Sequence, residues 1–128
     1  MPIVQVHIAK GRPASERRAI LDGIQSALIA AFKIPENDRN LMLQEYDPEC
    51  FDSAKGPQYT LVQITAFPGR SADAKRALFA GIVKNLERSP GIPPAQVMII
   101  VYEPPLTSWG IRGGKAATDV DIGFKVDV

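Results

Sequence analysis

Pro2 is the residue with the most chemistry to offer, standing second in Met1-Pro2-Ile3-Val4-Gln5-Val6. An initiator methionine is normally removed when a small residue follows. Its removal here is expected to leave a secondary amine at the head of a Val/Ile-rich run. An α-amino group titrates near ~8 in model peptides, and apolar surroundings lower that value by disfavouring the charge. Such an amine is neutral near physiological pH and serves as a general base without a histidine. The plainer role is structural: a proline opens a strand well because no ladder donor is needed there. His7 is the single histidine and lies in the same strand-like run, where local satisfaction is its ordinary role. Tyr46, Tyr59 and Tyr102 can donate to a substrate oxygen, yet strand aromatics mostly pack. Cys50 stands alone, which excludes an intrachain disulfide and a Cys-rich zinc site. Gly113-Gly114 is too short for a phosphate-binding signature. No metal-ligand cluster is apparent, and neither a metal nor a cofactor is expected.

The elements that must position Pro2 come from a duplication. Sliding the chain on itself by 58 places gives 13 identities in the 46 pairs from Pro2 to Asp47, without a gap. Gly11-Arg12 falls on Gly69-Arg70, Gly23-Ile24 on Gly81-Ile82, Ile34-Pro35 on Ile92-Pro93 and Glu45 on Glu103. Repeat one covers about 2–47, repeat two about 60–105, and a tail follows over 106–128. Each repeat reads β-α-β. Strands are expected over 2–9, 40–46, 59–67 and 97–103, from their Val/Ile content and flanking turn residues. Helices are expected over 15–32 and 71–88, where apolar residues recur at helical spacing: Ile20, Leu21, Ile24 and Leu28, then Leu78, Phe79, Ile82 and Leu86. Ser71 suits the N-cap of the second helix and Asp73 its positive end. Residues 47–58 connect the repeats. The tail, with Gly110, Gly113, Gly114 and an alternating Val120-to-Val128 segment, is expected to form a short hairpin that pairs with a neighbouring subunit.

The fold class expected is α+β, a two-layer α/β sandwich in one domain over 1–128, with a four-stranded sheet and two helices on one face. The other face, expected to carry Ile, Val and Leu, wants a cover, and a closed homo-oligomer supplies one. A chain of 128 residues buries roughly two-thirds of its unfolded surface, so no staple is required. Lys+Arg of 15 against Asp+Glu of 14 argues against a nucleic-acid binder or a basic membrane-surface module. The longest apolar run, Ala27 to Phe32, is far too short to span a bilayer. The start of the chain lacks the basic region and apolar run of a signal peptide, so a cytoplasmic location is expected.

The duplication also offers an internal control, because positions that differ between repeats are where function departs from shared fold. Pro2 faces Thr60 and Asp38 faces Gln96, while Arg70 is shared with Arg12. Met1-Pro2-Ile3-Val4, the β-α-β duplication and Gly69-Arg70-Ser71-Ala72-Asp73, followed by Lys75 and Leu78, resemble the tautomerase superfamily over nearly the whole chain. Pro35-Glu36-Asn37-Asp38-Arg39 and Ser108-Trp109-Gly110 are similar to segments of its longer, fused members around malonate semialdehyde decarboxylase. The resemblance implies a homotrimer, Pro2 as the catalytic amine and Arg70 as the partner of a substrate carboxylate. A guanidinium suits that task with its planar fork. The same resemblance carries Asp38 over as a catalytic carboxylate beside the amine, Trp109 as apolar pocket lining and Arg112 as a second anion contact. This chain departs from the decarboxylase pattern, which has two close arginines where Phe67-Pro68-Gly69-Arg70 offers one. It departs further from the cis-3-chloroacrylic acid dehalogenase, which has an arginine at the place of Phe67 and a histidine on the first helix.

The leading expectation is therefore keto–enol proton transfer on a small 2-keto or enol carboxylic acid, with Arg70 holding the carboxylate and Pro2 moving the proton. Decarboxylation of a 3-oxo acid is the alternative, with a cationic or imine-forming Pro2 as electron sink. A third reading is a non-catalytic trimeric scaffold, in which a retained Met1 turns the amine into an amide.

Overall fold

Strict alternation decides how the first strand sits. In β1 (Pro2–Ala9), Pro2, Val4, Val6 and Ile8 are buried, and Ile3, Gln5, His7 and Ala9 turn the other way. The computed structural model describes residues 2–128. After β1 come α1 (Ala14–Phe32), β2 (Leu41–Tyr46), β3 (Thr60–Ala66), α2 (Ala72–Arg88) and β4 (Val97–Tyr102). The sheet runs β2-β1-β3-β4. The outer pairs are parallel and the central β1/β3 pair is antiparallel. This is the architecture expected of two β-α-β units.

The duplication is reproduced to the residue. Val4 stands opposite Leu41 in the first unit, and Val62 stands opposite Ile99 in the second. These are the same pairs moved by 58. The helices cross where the repeats share a glycine. A Cβ at Gly23 would lie 3.3 Å from the Asn85 Cβ, and one at Gly81 would lie 3.3 Å from the Ala27 Cβ. Asn85 and Ala27 are themselves 58 apart. Asn85 then donates from Nδ2 to the Gly23 carbonyl at 2.9 Å. The crossing sits above one core made of Val4, Val6, Ile8, Val62 and Ile64 from the sheet and Ile20, Ile24, Leu28, Phe32, Leu78, Ile82 and Leu86 from the helices. Each such side chain contributes about 1.5–3 kcal/mol on full burial. Ile34 and Ile92 close the two ends of the core at equivalent places.

Ser71 caps α2, its Oγ accepting from the Ala74 N–H at 3.1 Å, and Asp73 lies in the first turn. The N-cap of α1 is Pro13, whose side chain makes no capping bond.

The free face of the sheet differs in make-up from the expectation. Every valine of the sheet points toward the helices. The free face carries Met42, Met98, Ile100 and Tyr102 exposed. A polar row crosses all four strands there. His7 bonds Tyr46 Oη at 2.7 Å and Gln63 Oε1 at 2.8 Å, and Gln63 Nε2 reaches Tyr102 Oη at 3.4 Å.

In the tail, β5 (Gly110–Ile111) and β6 (Lys115–Ala116) form the short hairpin, which packs on its own chain. Phe67, Trp109 and Ala117 make a second cluster, joined by Ile3, Leu106, Ile111, Ile122 and Val126. The alternation beyond Val120 is real but has no strand partner among the described residues: Ile122 and Val126 face that cluster and Phe124 faces the main core. Among the described residues, no helix is long and apolar enough to cross a membrane.

Candidate functional site

Four segments meet at the end of the sheet where β1 starts. Pro2 pairs with Ala66, the last residue of β3. The chain continues through Phe67 and Gly69 to Arg70, just ahead of α2. From the other side, the turn after α1 brings Asp38 and Asn40 to β1. The Val4 N–H donates to the Asn40 carbonyl at 2.9 Å, and Asn40 Nδ2 donates to Asp38 Oδ1 at 3.0 Å and approaches the Pro2 carbonyl at 3.5 Å. Gln25, buried on α1, donates to the Asp38 carbonyl at 3.0 Å and fixes that turn. Pro2 itself is buried.

Arg70 is only 5 % exposed. Its Nη1 donates to the Phe67 carbonyl at 3.2 Å, and its guanidinium carbon lies 4.8 Å from the centre of the Phe32 ring. Nε and Nη2 are buried without a hydrogen-bond partner among the described residues. A buried donor left bare costs about 1–3 kcal/mol, more where it is charged. Burial pulls the guanidinium below its ordinary pKa, while the charges of Asp38 and Glu103 pull it back up. Arg70 stays cationic, since arginine holds its proton in proteins.

The first repeat shows what this arrangement lacks. Arg12, the equivalent of Arg70, donates to Glu16 at 2.8 Å and to Gln58 at 2.8 Å. Glu16 corresponds to Ala74. A second ion pair is kept in both repeats: Arg17 with Glu45 at 3.6 Å, and Lys75 with Glu103. The two units therefore share the pair that ties helix to strand, and differ in that Arg12 has its own carboxylate and Arg70 is paired with none among the described residues. The Glu16/Ala74 difference is visible in the aligned repeats, but only the open Arg70 fork gives it meaning. Thr60, at the place of Pro2, is buried and donates to the Gln58 carbonyl at 3.0 Å. Gln96, at the place of Asp38, accepts from the Gln58 N–H at 2.7 Å. The linker between the repeats thus fills the twin site.

A cavity of about 160 Å³ lies beside the Pro2 end, lined by Asp38, Phe67, Ile111, Arg112, Ile122 and Phe124. One carboxylate and one guanidinium stand in an otherwise apolar wall. Arg112, in the left-handed region at φ 49°, donates from Nη2 to the Ile122 carbonyl at 3.3 Å. Of the residues singled out from the sequence, Asp38 and Arg112 line the cavity. Arg70 and Pro2 do not line it. Trp109 stands behind Phe67, edge-on at 4.7 Å between ring centres, with Nε1 donating to the Pro104 carbonyl at 3.1 Å. Ile122 and Phe124 were not expected in the wall; the alternation after Val120 was their signal. His7 lies on the free face of the sheet, engaged with Tyr46 and Gln63.

The family model Tautomerase_2, described as "Tautomerase enzyme", matches residues 45–112. The chain belongs to this tautomerase family. A probable tautomerase of Bacillus subtilis (strain 168), YusQ, is 22% identical over 123 residues, covering 91% of this chain and 97% of its own. The solved structure of the FG41 malonate semialdehyde decarboxylase inhibited by 3-bromopropiolate is similar at 25% identity and a TM-score of 0.80, covering 94% of this chain and 98% of that one. A fused 4-OT, solved as a wild-type symmetric trimer, shares the fold at a TM-score of 0.82 and 24% identity, over 91% and 96% of the two chains. The tautomerase fold that the resemblance implies is the fold observed, and the protein is an enzyme of the tautomerase superfamily.

Proposed function

We propose that this tautomerase moves a proton on a small 2-oxo or enol carboxylic acid, with Arg70 holding the carboxylate and the Pro2 amine, freed by loss of Met1, carrying the proton. The observation that carries the reading is Arg70: a buried guanidinium with Nε and Nη2 bare, whose twin Arg12 holds a carboxylate. Two adjacent N–H groups suit a planar bidentate acid better than a point anion. The twin also supports placing that acid near Pro2. Arg12 touches Gln58, which also accepts from Thr60, and the 58-residue register makes Thr60 the twin of Pro2. In the reaction the neutral amine takes a proton from the enol hydroxyl, or from the carbon next to the carbonyl, and returns it at another carbon. Its burial favours the neutral form. Asp38 and Arg112 supply the charged groups in the otherwise apolar wall of the neighbouring cavity.

The test has two parts. Intact mass of natively produced protein should show a chain beginning at Pro2. With a 2-hydroxyalkenoate substrate, Arg70→Ala should lower kcat/KM by about 10- to 100-fold, the worth of a charged hydrogen bond of about 1.5–3 kcal/mol. Full activity in Arg70→Ala rejects the carboxylate role.

A second reading, decarboxylation of a 3-oxo acid, is favoured by Asp38 in the cavity wall. There the carboxylate holds Pro2 cationic or orients a water. Release of acetaldehyde from malonate semialdehyde, lost in Asp38→Asn, would select it.

For assembly, the exposed Met42, Met98, Ile100 and Tyr102 support a closed oligomer, and the fused 4-OT supports a trimer.

A further inference from the structure

The end of the tail packs on the two residues that flank Arg70. Val126 rests on Gly69, so closely that a Cβ at Gly69 would lie 3.3 Å from Val126 Cγ2 and 3.4 Å from its carbonyl oxygen. Ser71 Oγ donates to the Val128 carbonyl at 2.8 Å. Ile122 and Phe124 complete the cavity wall. The residue immediately between these two anchors, Arg70, is the one with two buried bare donors.

This cover is lightly held. Beyond Asp119 the described residues form no helix or strand. Gly123, at φ 88°, sits in the left-handed region between Ile122 and Phe124. Among the described residues, the hydrogen bonds that tie the segment to the rest of the chain are Ser71 to Val128 and Arg112 to Ile122. Apolar contacts from three alternating side chains do the remaining work. Segments with few such contacts open at a small fraction of the free energy of global unfolding.

We propose that residues 120–128 are a hinged cover over Arg70, which lifts to admit a small carboxylate and closes on the filled guanidinium. The proposal rests on the reading of Arg70 as the carboxylate partner. A fixed seal would leave Nε and Nη2 bare in every state of the protein. A cover lets them reach water or ligand when open, and strengthens the ion pair by excluding water when closed. Ile122 and Phe124 then limit the tail of the acid to what the apolar wall accepts, so the same segment sets substrate size.

The experiment is modification of the full-length protein with phenylglyoxal, with rates at each arginine followed by peptide mass spectrometry. Exposed Arg18 is the internal reference. Arg70 should react far more slowly than Arg18. Val126→Ala, which removes the contact on Gly69, should speed Arg70 roughly tenfold by raising the open population, with Arg18 and the circular dichroism unchanged. Val126→Thr keeps the volume and places a hydroxyl against the cluster, and should act in the same direction if the alanine variant folds poorly. Arg70 reacting as fast as Arg18, or at an unchanged rate in folded variants, overturns the cover. Adding 2-oxobutanoate separates the two readings. Acceleration by Val126→Ala without protection by the acid keeps the cover and rejects the carboxylate role of Arg70. Protection without acceleration keeps that role and rejects the cover.

Discussion

Ala74 is the smallest change with the largest consequence in this chain. Its counterpart Glu16 gives Arg12 an internal anion, and its own lack of a carboxylate leaves Arg70 open. Ala74→Glu should therefore plug the site. The introduced acid can reach back to the Ser71 N–H as a capping box, or forward to Arg70. The buried bare donors of Arg70 are the costlier gap to leave, so the arginine should win. KM for a 2-oxo acid should rise about tenfold or more, while Ala74→Gln, of the same shape without the charge, should change it far less. The melting temperature should not fall, because an acid in the first helical turn is favourable. An unchanged KM in both variants would argue against a carboxylate at Arg70. Pro2→Ala makes a different prediction. It leaves a primary amine of similar basicity, so activity should drop only in part and keep a rising limb with pH. Complete loss would point to the ring itself, whose fixed φ holds the nitrogen in place.

At the level of elements, the helix crossing explains why the repeats kept their glycines. Gly23 and Gly81 let the helices approach closely: a Cβ on either would lie 3.3 Å from the neighbouring helix's Cβ, Asn85 or Ala27. Gly81→Val adds a branched side chain against Ala27 and should cost about 1–3 kcal/mol from overpacking. Chemical denaturation reads that loss directly, and a variant as stable as wild type would mean the crossing is looser than its distances. The crossing also shows what was legible beforehand. The 58-residue shift located both units, the helical stripes located the core face, and the Ser71 cap was foreseen, because these rest on periodicity and local chemistry. The contact of Gly23 with Asn85 was not legible, since it depends on how two helices meet. The tail was half legible. Ile122, Phe124 and Val126 alternate as a strand does, and the sequence carries that spacing. What they alternate against is a matter of tertiary packing, and they face their own chain's cavity and core in place of a neighbouring strand. Asp38 and Arg112 line the cavity, whereas Trp109 is held behind Phe67 by its bond to Pro104, which no spacing rule foretells.

For the molecule as a whole, the two faces of the sheet obey different rules. The helix side is filled by valine, isoleucine and leucine, and the opposite side presents Met42 at 52 % exposure, Ile100 at 37 % and Tyr102 at 44 % around the Tyr46–His7–Gln63–Tyr102 row. A purely apolar free face would collapse on anything; a satisfied polar row across four strands gives such a face register and tolerates water before assembly. If copies of this chain meet here, the apolar groups lose solvent and the row becomes buried with its bonds already made. Ile100→Asp tests this, because Ile100 is exposed in the single chain and its change should leave the fold and its circular dichroism intact. In an interface the introduced charge must be desolvated at a cost of several kcal/mol. Light scattering should then find wild type near 42 kDa, three times the 13.9 kDa chain, and the variant near the mass of one. A variant that keeps the wild-type mass would move the interface off this face. A monomeric wild type would leave the methionines and Tyr102 to another partner.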